Sequence, residues 1–296
     1  IIRAGAVLSA AALIPPDVTG MARRAPSIAA GHDPRARLLL DPGWHFHLGH
    51  ADDPARDFGY GSGDLFAKAG EFFAPSAADF DDRDWQVVDL PHDWAVDLPF
   101  VNDPDQVGHG SKPLGRKYPD TSIGWYRRTF DIPASDSGRR IALEFDGVFR
   151  DCTAALNGHY LGRNLSGYAP FRYDITDLVS YGGTNVLVVR ADATEHEGWF
   201  YEGAGIYRHV WLVKTDALHV PQWGTFVTTE LGPNGAQVTI RTEIANDGGA
   251  PATFRVRSTL LDPDGRTVAA GNGAPATVGG QETREVMQTL HLARPT

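Results

Sequence analysis

Cysteine is almost missing from this sequence. Cys152 stands alone among 296 residues, which excludes an intrachain disulfide. Its strand-like setting, Cys152-Thr-Ala-Ala-Leu156, suits a small buried apolar group better than a nucleophile or metal ligand. Blocks of lysine and arginine are absent too, and the net charge is −10. Such a chain repels phosphate backbones, which argues against a nucleic-acid partner and leaves room for an uncharged ligand. No apolar run reaches the roughly 20 residues that span a bilayer, so no membrane partner is expected. Repeats, coiled-coil heptads and long low-complexity tracts are also absent, and from Leu38 onward the helical period nearly vanishes.

Apolar residues make up 42% of the chain, enough for a sizeable core, and the 33 glycines and 20 prolines fall between short apolar runs. That pattern suits many strands joined by turns. Arg3, the alanine-rich stretch Ala4–Ile14 and Pro15-Pro16 have the form of the end of a secretory signal, followed by a linker. Residues 1–37 are therefore expected to lie outside the fold, and the protein to be secreted or periplasmic. Ile1 is not an initiator methionine, so the start is expected to be cut.

Ile141, Leu143 and Phe145 alternate with polar or small residues, a period of two. Asn157-Gly158 is a strong type I′ hairpin signal. Val186–Val189 is a continuous apolar run, as expected of a strand buried on both faces. Gly124–Phe130 and Ile206–Val213 read as further strands. An all-β domain is predicted over 38–216. A second series follows, with strands at Gln237–Ile244, Phe254–Leu261 and Arg266–Ala270 and a turn at Asp262–Gly265. This spacing suggests an immunoglobulin-like sandwich over 217–296. Such a domain needs about 100 residues, about 80 remain, and no closing strand is visible, so an incomplete domain is expected.

Eight segments occur in one order: Gly43–Gly49, Asp79–Trp85, Leu90-Pro-His-Asp-Trp94, Gly124–Phe130, Phe145–Val148, Leu156-Asn-Gly-His-Tyr-Leu-Gly162, Tyr168–Leu178 and Tyr201-Glu-Gly-Ala-Gly-Ile-Tyr-Arg208. Together they resemble the amino-terminal sugar-binding domain of glycoside hydrolase family 2, most of all its β-galactosidases. The resemblance covers 38–216 closely and 217–296 more loosely. It implies a jelly-roll, galactose-binding-like β-sandwich, then an immunoglobulin-like β-sandwich, then a TIM barrel carrying two catalytic glutamates. No barrel motif occurs here, so the resemblance supplies no catalytic residue. The implied activity is retaining hydrolysis of terminal β-galactosides, with β-mannosides or β-glucuronides as alternative substrates. The implied partners are the sugar, the missing barrel and, as an option, a second copy. No cofactor is expected in this segment, though the barrel leaves room for a metal ion.

Retaining hydrolysis needs two carboxyl groups about 5–5.5 Å apart. Asp192, Glu195, Glu197 and Glu202 lie close in sequence, but they read equally as a solvated acidic loop. Sugar binding asks for less: an aromatic ring to stack on, and carboxylates or amides for hydroxyls. Glu195–Glu202 offers both, and in the family a loop here reaches the sugar subsite. Trp199, Tyr201 and Glu202 are the candidates, against core aromatics and a Glu202–Arg208 pair. The polar loop 102–120 adds His109, Lys112 and Tyr118, since long loops are often functional. Asp93 reads mainly as a tie within a turn, with direct sugar contact as the alternative. His45, His47 and His50 lack the further ligands of a zinc site, so no metal is expected. The alternative to an enzyme segment is a stand-alone carbohydrate-binding or protein-interaction module.

Overall fold

The computed structural model describes residues 33–62, 73–104, 111–195 and 202–293. The chain forms two compact units, one of Arg35–Lys214 and one that begins at Thr215. Among the described residues helix is limited to short 3₁₀ turns such as Pro54–Arg56 and Trp94–Asp97. The all-β class expected from the sequence is present in both units.

The first unit is a two-sheet sandwich. Its strands are β1 (Arg35–Leu39), β2 (Trp44–Leu48), β3 (Gln86–Val88), β4 (Ile123–Ile132), β5 (Arg140–Phe145), β6 (Cys152–Leu156), β7 (His159–Asn164), β8 (Phe171–Asp174), β9 (Gly183–Asp192) and β10 (Val210–Thr215). One sheet runs β1-β10-β5-β8 and the other β3-β2-β4-β9-β6-β7. Ile141, Leu143 and Phe145 of β5 and Leu212 of β10 share a core with Phe46, Tyr126, Leu187 and Val189 of the larger sheet. The opposite face of that sheet is covered as well. There Trp125, Val186 and Val188 pack with Phe73 and Trp85, flanked by Phe58, Tyr60 and Phe80. The run Val186–Val189 thus feeds two cores alternately, as a strand without a wet face must.

The β6–β7 hairpin turns at Asn157 (φ 50°) and Gly158 (φ 81°), with Leu156 facing His159. Both centres have the positive φ that a type I′ turn requires. Ile206–Val213 departs from the sequence reading. Regular strand begins only at Val210, because Gly205 and Ile206 bond to Phe149 and His92 in a loop instead.

The second unit holds β11 (Leu218–His219), β12 (Thr225–Gly232), β13 (Gly235–Asn246), β14 (Ala252–Phe254), β15 (Arg257–Leu261), β16 (Thr267–Asn272), β17 (Ala276–Val278) and β18 (Glu282–Leu292). β13 pairs with β11, β12 and β18, while β14 pairs with β17 and β15 with β16. Val238, Ile240, Leu260 and Leu290 join the layers at one end, and Ile244, Phe254, Val256 and Val278 at the other. The stretch read as one strand from Phe254 to Leu261 is two, with different partners. The closing strand not seen in the sequence is β18, paired with β13 from Glu282 to Leu292.

Cys152 is fully buried in the first core, and burial pushes its thiol up to about 12. At pH 8 that leaves about a thousandfold less thiolate than a thiol of ordinary pKa. Alkylation by iodoacetamide is therefore expected to be at least about a hundredfold slower in the folded chain than in guanidinium. Equal rates in a labelling time course would contradict this burial.

Candidate functional site

Three loops converge around Asp93. Its backbone is extended (φ −125°, ψ 100°), and its side chain caps the Trp94–Asp97 turn by accepting from Ala95 N. The same oxygen, Oδ1, also accepts from Ala204 N at 2.8 Å. Backbone bonds from His92 N to Ile206 O (2.9 Å) and from Trp94 N to Ala204 O (3.1 Å) lay residues 202–206 along 91–95. Glycine makes this approach possible. At Gly203 a Cβ would sit 2.2 Å from Asp93 Oδ2, and at Gly205 (φ +125°) 2.4 Å from the Tyr126 hydroxyl.

Beneath the loops, Tyr126 is fully buried with its hydroxyl 2.8 Å from His92 Nδ1. Burial raises the phenol well above its ordinary range. Burial also lowers the His92 imidazole, more than Asp93 and Asp97 raise it, so the ring favours the neutral form. Trp94 stacks on Phe46 and donates its indole N–H to Thr121 O at 2.8 Å. That bond ties the Asp93 turn to the loop carrying the second set of candidates.

Lys112 is buried, and its ammonium donates to Val96 O (3.1 Å) and Leu98 O (2.6 Å). The same nitrogen lies 4.1 Å from the centre of the Phe100 ring. The cation holds the 96–100 turn in shape, and Phe100 is left 77% exposed. Tyr118 donates its hydroxyl to Asp103 Oδ2 at 3.2 Å, and its carbonyl accepts from Ser122 Oγ at 2.7 Å. Glu202 is buried, with the Tyr168 hydroxyl 3.4 Å from Oε1. Tyr168 stands edge-on to Phe149, whose backbone exchanges two hydrogen bonds with Gly205. Arg208, the partner considered for Glu202, donates to Asp146 O at 3.2 Å.

Asp93, Lys112 and Glu202 therefore belong to one assembly, with Tyr118 joined to it through Thr121 and Ser122. His109, Trp199, Tyr201 and Glu197 lie outside the described residues. Asp192 caps Thr194 and pairs with Arg190, and Glu195 pairs with Arg116. The histidines have separate neighbours: Asp82 for His45, Phe58 and Trp85 for His47, Asp120 for His50. Among the described residues no group of three or more His, Cys, Asp or Glu is arranged to hold a metal ion.

Sequence reasoning passed over Tyr168 and Phe100. Tyr168 lies in one of the eight quoted segments, but nothing in the order of residues brings it to Glu202. Phe100 precedes the polar loop by two residues and so fell outside it. Chemically, the assembly offers a carboxylate acceptor, phenol hydroxyls and one open aromatic face on a braced base, a set that suits neutral polyhydroxylated ligands.

Residues 110–216 match the family model for glycosyl hydrolases family 2, sugar binding domain. This chain carries a family 2 sugar-binding domain. A β-galactosidase from Bacteroides ovatus is 36% identical over 84% of the chain, and a β-glucuronidase from Formosa agariphila 28% identical over 69%. The chain spans about a quarter of their length, 26% and 23% respectively. Among solved structures, a family 2 glycosyl hydrolase from Bacteroides cellulosilyticus superposes with a TM-score of 0.69 at 29% identity, over 87% of this chain and 32% of that one. The family 2 match contains Lys112, Tyr118 and Glu202, while Asp93 precedes it.

Proposed function

We propose that the chain is the front portion of a secreted or periplasmic, retaining β-galactosidase-like hydrolase, and that its loops complete a sugar subsite whose catalytic carboxylates lie on a barrel elsewhere in the protein. The observation that carries the reading is the 36% identity to the Bacteroides ovatus β-galactosidase over 84% of the chain. The braced loops support it. Glu202 is positioned to accept from sugar hydroxyls, and residues 196–201 beside it bring the aromatic candidates Trp199 and Tyr201. Asp93 serves as the strut of this loop, and Lys112 as the strut of the Phe100 turn.

Glycosidic cleavage needs an acid and a nucleophile held rigidly opposed. Asp192 and Glu195 are instead engaged with Arg190 and Arg116. The 296-residue chain is therefore expected to be inactive on an aryl β-galactoside, and the longer natural protein active. A β-glucuronide is the second substrate to assay, because β-glucuronidases stand among the relatives. Turnover by the 296-residue chain would refute the division of labour, and a longer protein inactive on both substrates would refute the activity.

A further inference from the structure

The second unit carries an aromatic surface that no part of the reading above uses. Phe226, Arg241 and Met287 form one row across three strands, with Phe226 opposite Arg241 and Arg241 opposite Met287. Directly opposed residues on antiparallel strands project from the same face, and all three are exposed. The Arg241 guanidinium lies 4.8 Å from the centre of the Phe226 ring. The neighbouring row on this face holds Thr228 opposite Thr239. Trp223 stands 73% exposed in the turn that leads into β12, next to Gly224, whose carbonyl accepts from Glu243 N.

Large apolar side chains in the open mark places where something binds. At about 200 Å² per large side chain, Trp223, Phe226 and Met287 expose roughly 400 Å². A stable protein interface needs about 800 Å² on each partner, so the patch is too small for one and the right size for one or two sugar rings. The chemistry agrees. An aromatic ring takes the C–H face of a pyranose, and a guanidinium held beside it offers N–H donors in the plane of the ring hydroxyls. Threonine hydroxyls continue the flat surface.

We propose that Trp223, Phe226 and Arg241 form a second carbohydrate-binding platform, for hexopyranose units of a polysaccharide chain lying flat on the β12–β13–β18 sheet. It is independent of the loops around Asp93 and would hold the protein near polymeric substrate without entering the catalytic subsite.

The test is native affinity electrophoresis of the 296-residue chain through gels containing galactan, xylan or mixed-linkage β-glucan. Retardation is expected in at least one gel. The Trp223→Ala/Phe226→Ala double variant, checked for folding by circular dichroism, should bind at least about tenfold more weakly, and Arg241→Lys at least about threefold. Glu202→Gln should migrate as the parent does. Absence of retardation in every gel would overturn the platform, as would retardation unchanged in the double variant. Retardation lost in Glu202→Gln but kept in the double variant would also overturn it, while upholding the sugar subsite of the first unit. A concentration-dependent dimer, seen by sedimentation and abolished in the double variant, would show that the patch is a protein contact instead.

Discussion

Asp57→Ala will cost the first unit about 3–5 kcal/mol, the usual loss when one partner of a buried ion pair is removed. Asp57 is buried, and both its oxygens are used. Oδ1 accepts from the Trp125 indole at 2.6 Å, and Oδ2 from Arg190 Nε at 2.9 Å and Nη2 at 2.8 Å. Arg190 is itself buried, with its guanidinium over the Tyr60 ring. Alanine would strand that cation and the indole N–H beneath the outer core. Burial raises the Asp57 carboxyl more than Arg190 lowers it, so the pair forms against a desolvation cost. For that reason an Asp57→Ala/Arg190→Met double variant should be less damaged than Asp57→Ala alone. Guanidinium denaturation midpoints will order the three proteins. A double variant no more stable than the single would show that the loss is packing rather than an orphaned charge.

Gly205→Val will be comparably damaging, about 2–5 kcal/mol from strain and overpacking together. At φ +125° the backbone is closed to a β-branched residue, and the new Cβ would lie 2.4 Å from the Tyr126 hydroxyl and 2.6 Å from His92 O. The carbonyl has nowhere to retreat, since the His92 amide is bonded to Ile206. The loop would have to lift, losing its two hydrogen bonds to Phe149 and carrying Glu202 away from Tyr168. In the longer natural protein the expected result is a raised KM for the galactoside on top of the lower melting temperature. A variant with unchanged KM would mean that residues 202–206 do not contribute to the sugar subsite.

Much of the fold was legible because the first unit writes its burial into the sequence. Ile141, Leu143 and Phe145 alternate, Val186–Val189 does not, and each pattern matches what covers the strand. β18 was not legible for the opposite reason. Of Glu282–Leu292 only Leu290 is fully buried, so there was almost no apolar period to find, and its backbone pairing with β13 holds it in place. The break between β14 and β15 falls at Arg255-Val256. Val256 is buried and bonds through its carbonyl to Gly273, which continuous strand propensity conceals.

The site was legible in composition and less so in arrangement. Charge and polarity singled out Lys112 and Asp93, and the structure gives both mainly backbone partners. Spacing could not reveal that contacts between residues more than a hundred positions apart, such as Asp93 with Ala204, build the assembly. The glycines in Glu202-Gly-Ala-Gly-Ile206 were its one local trace, since they mark where two backbones come too close for side chains.

The six-stranded sheet is dry on both sides. A sheet with one wet face can vary there freely, but here nearly every position along β9 answers to a neighbour above or below. Variation that changes what this protein recognises is therefore confined to the rims, where strands end and loops begin, and sequence divergence among its kin should pile up there while the middle of the sheet stays still.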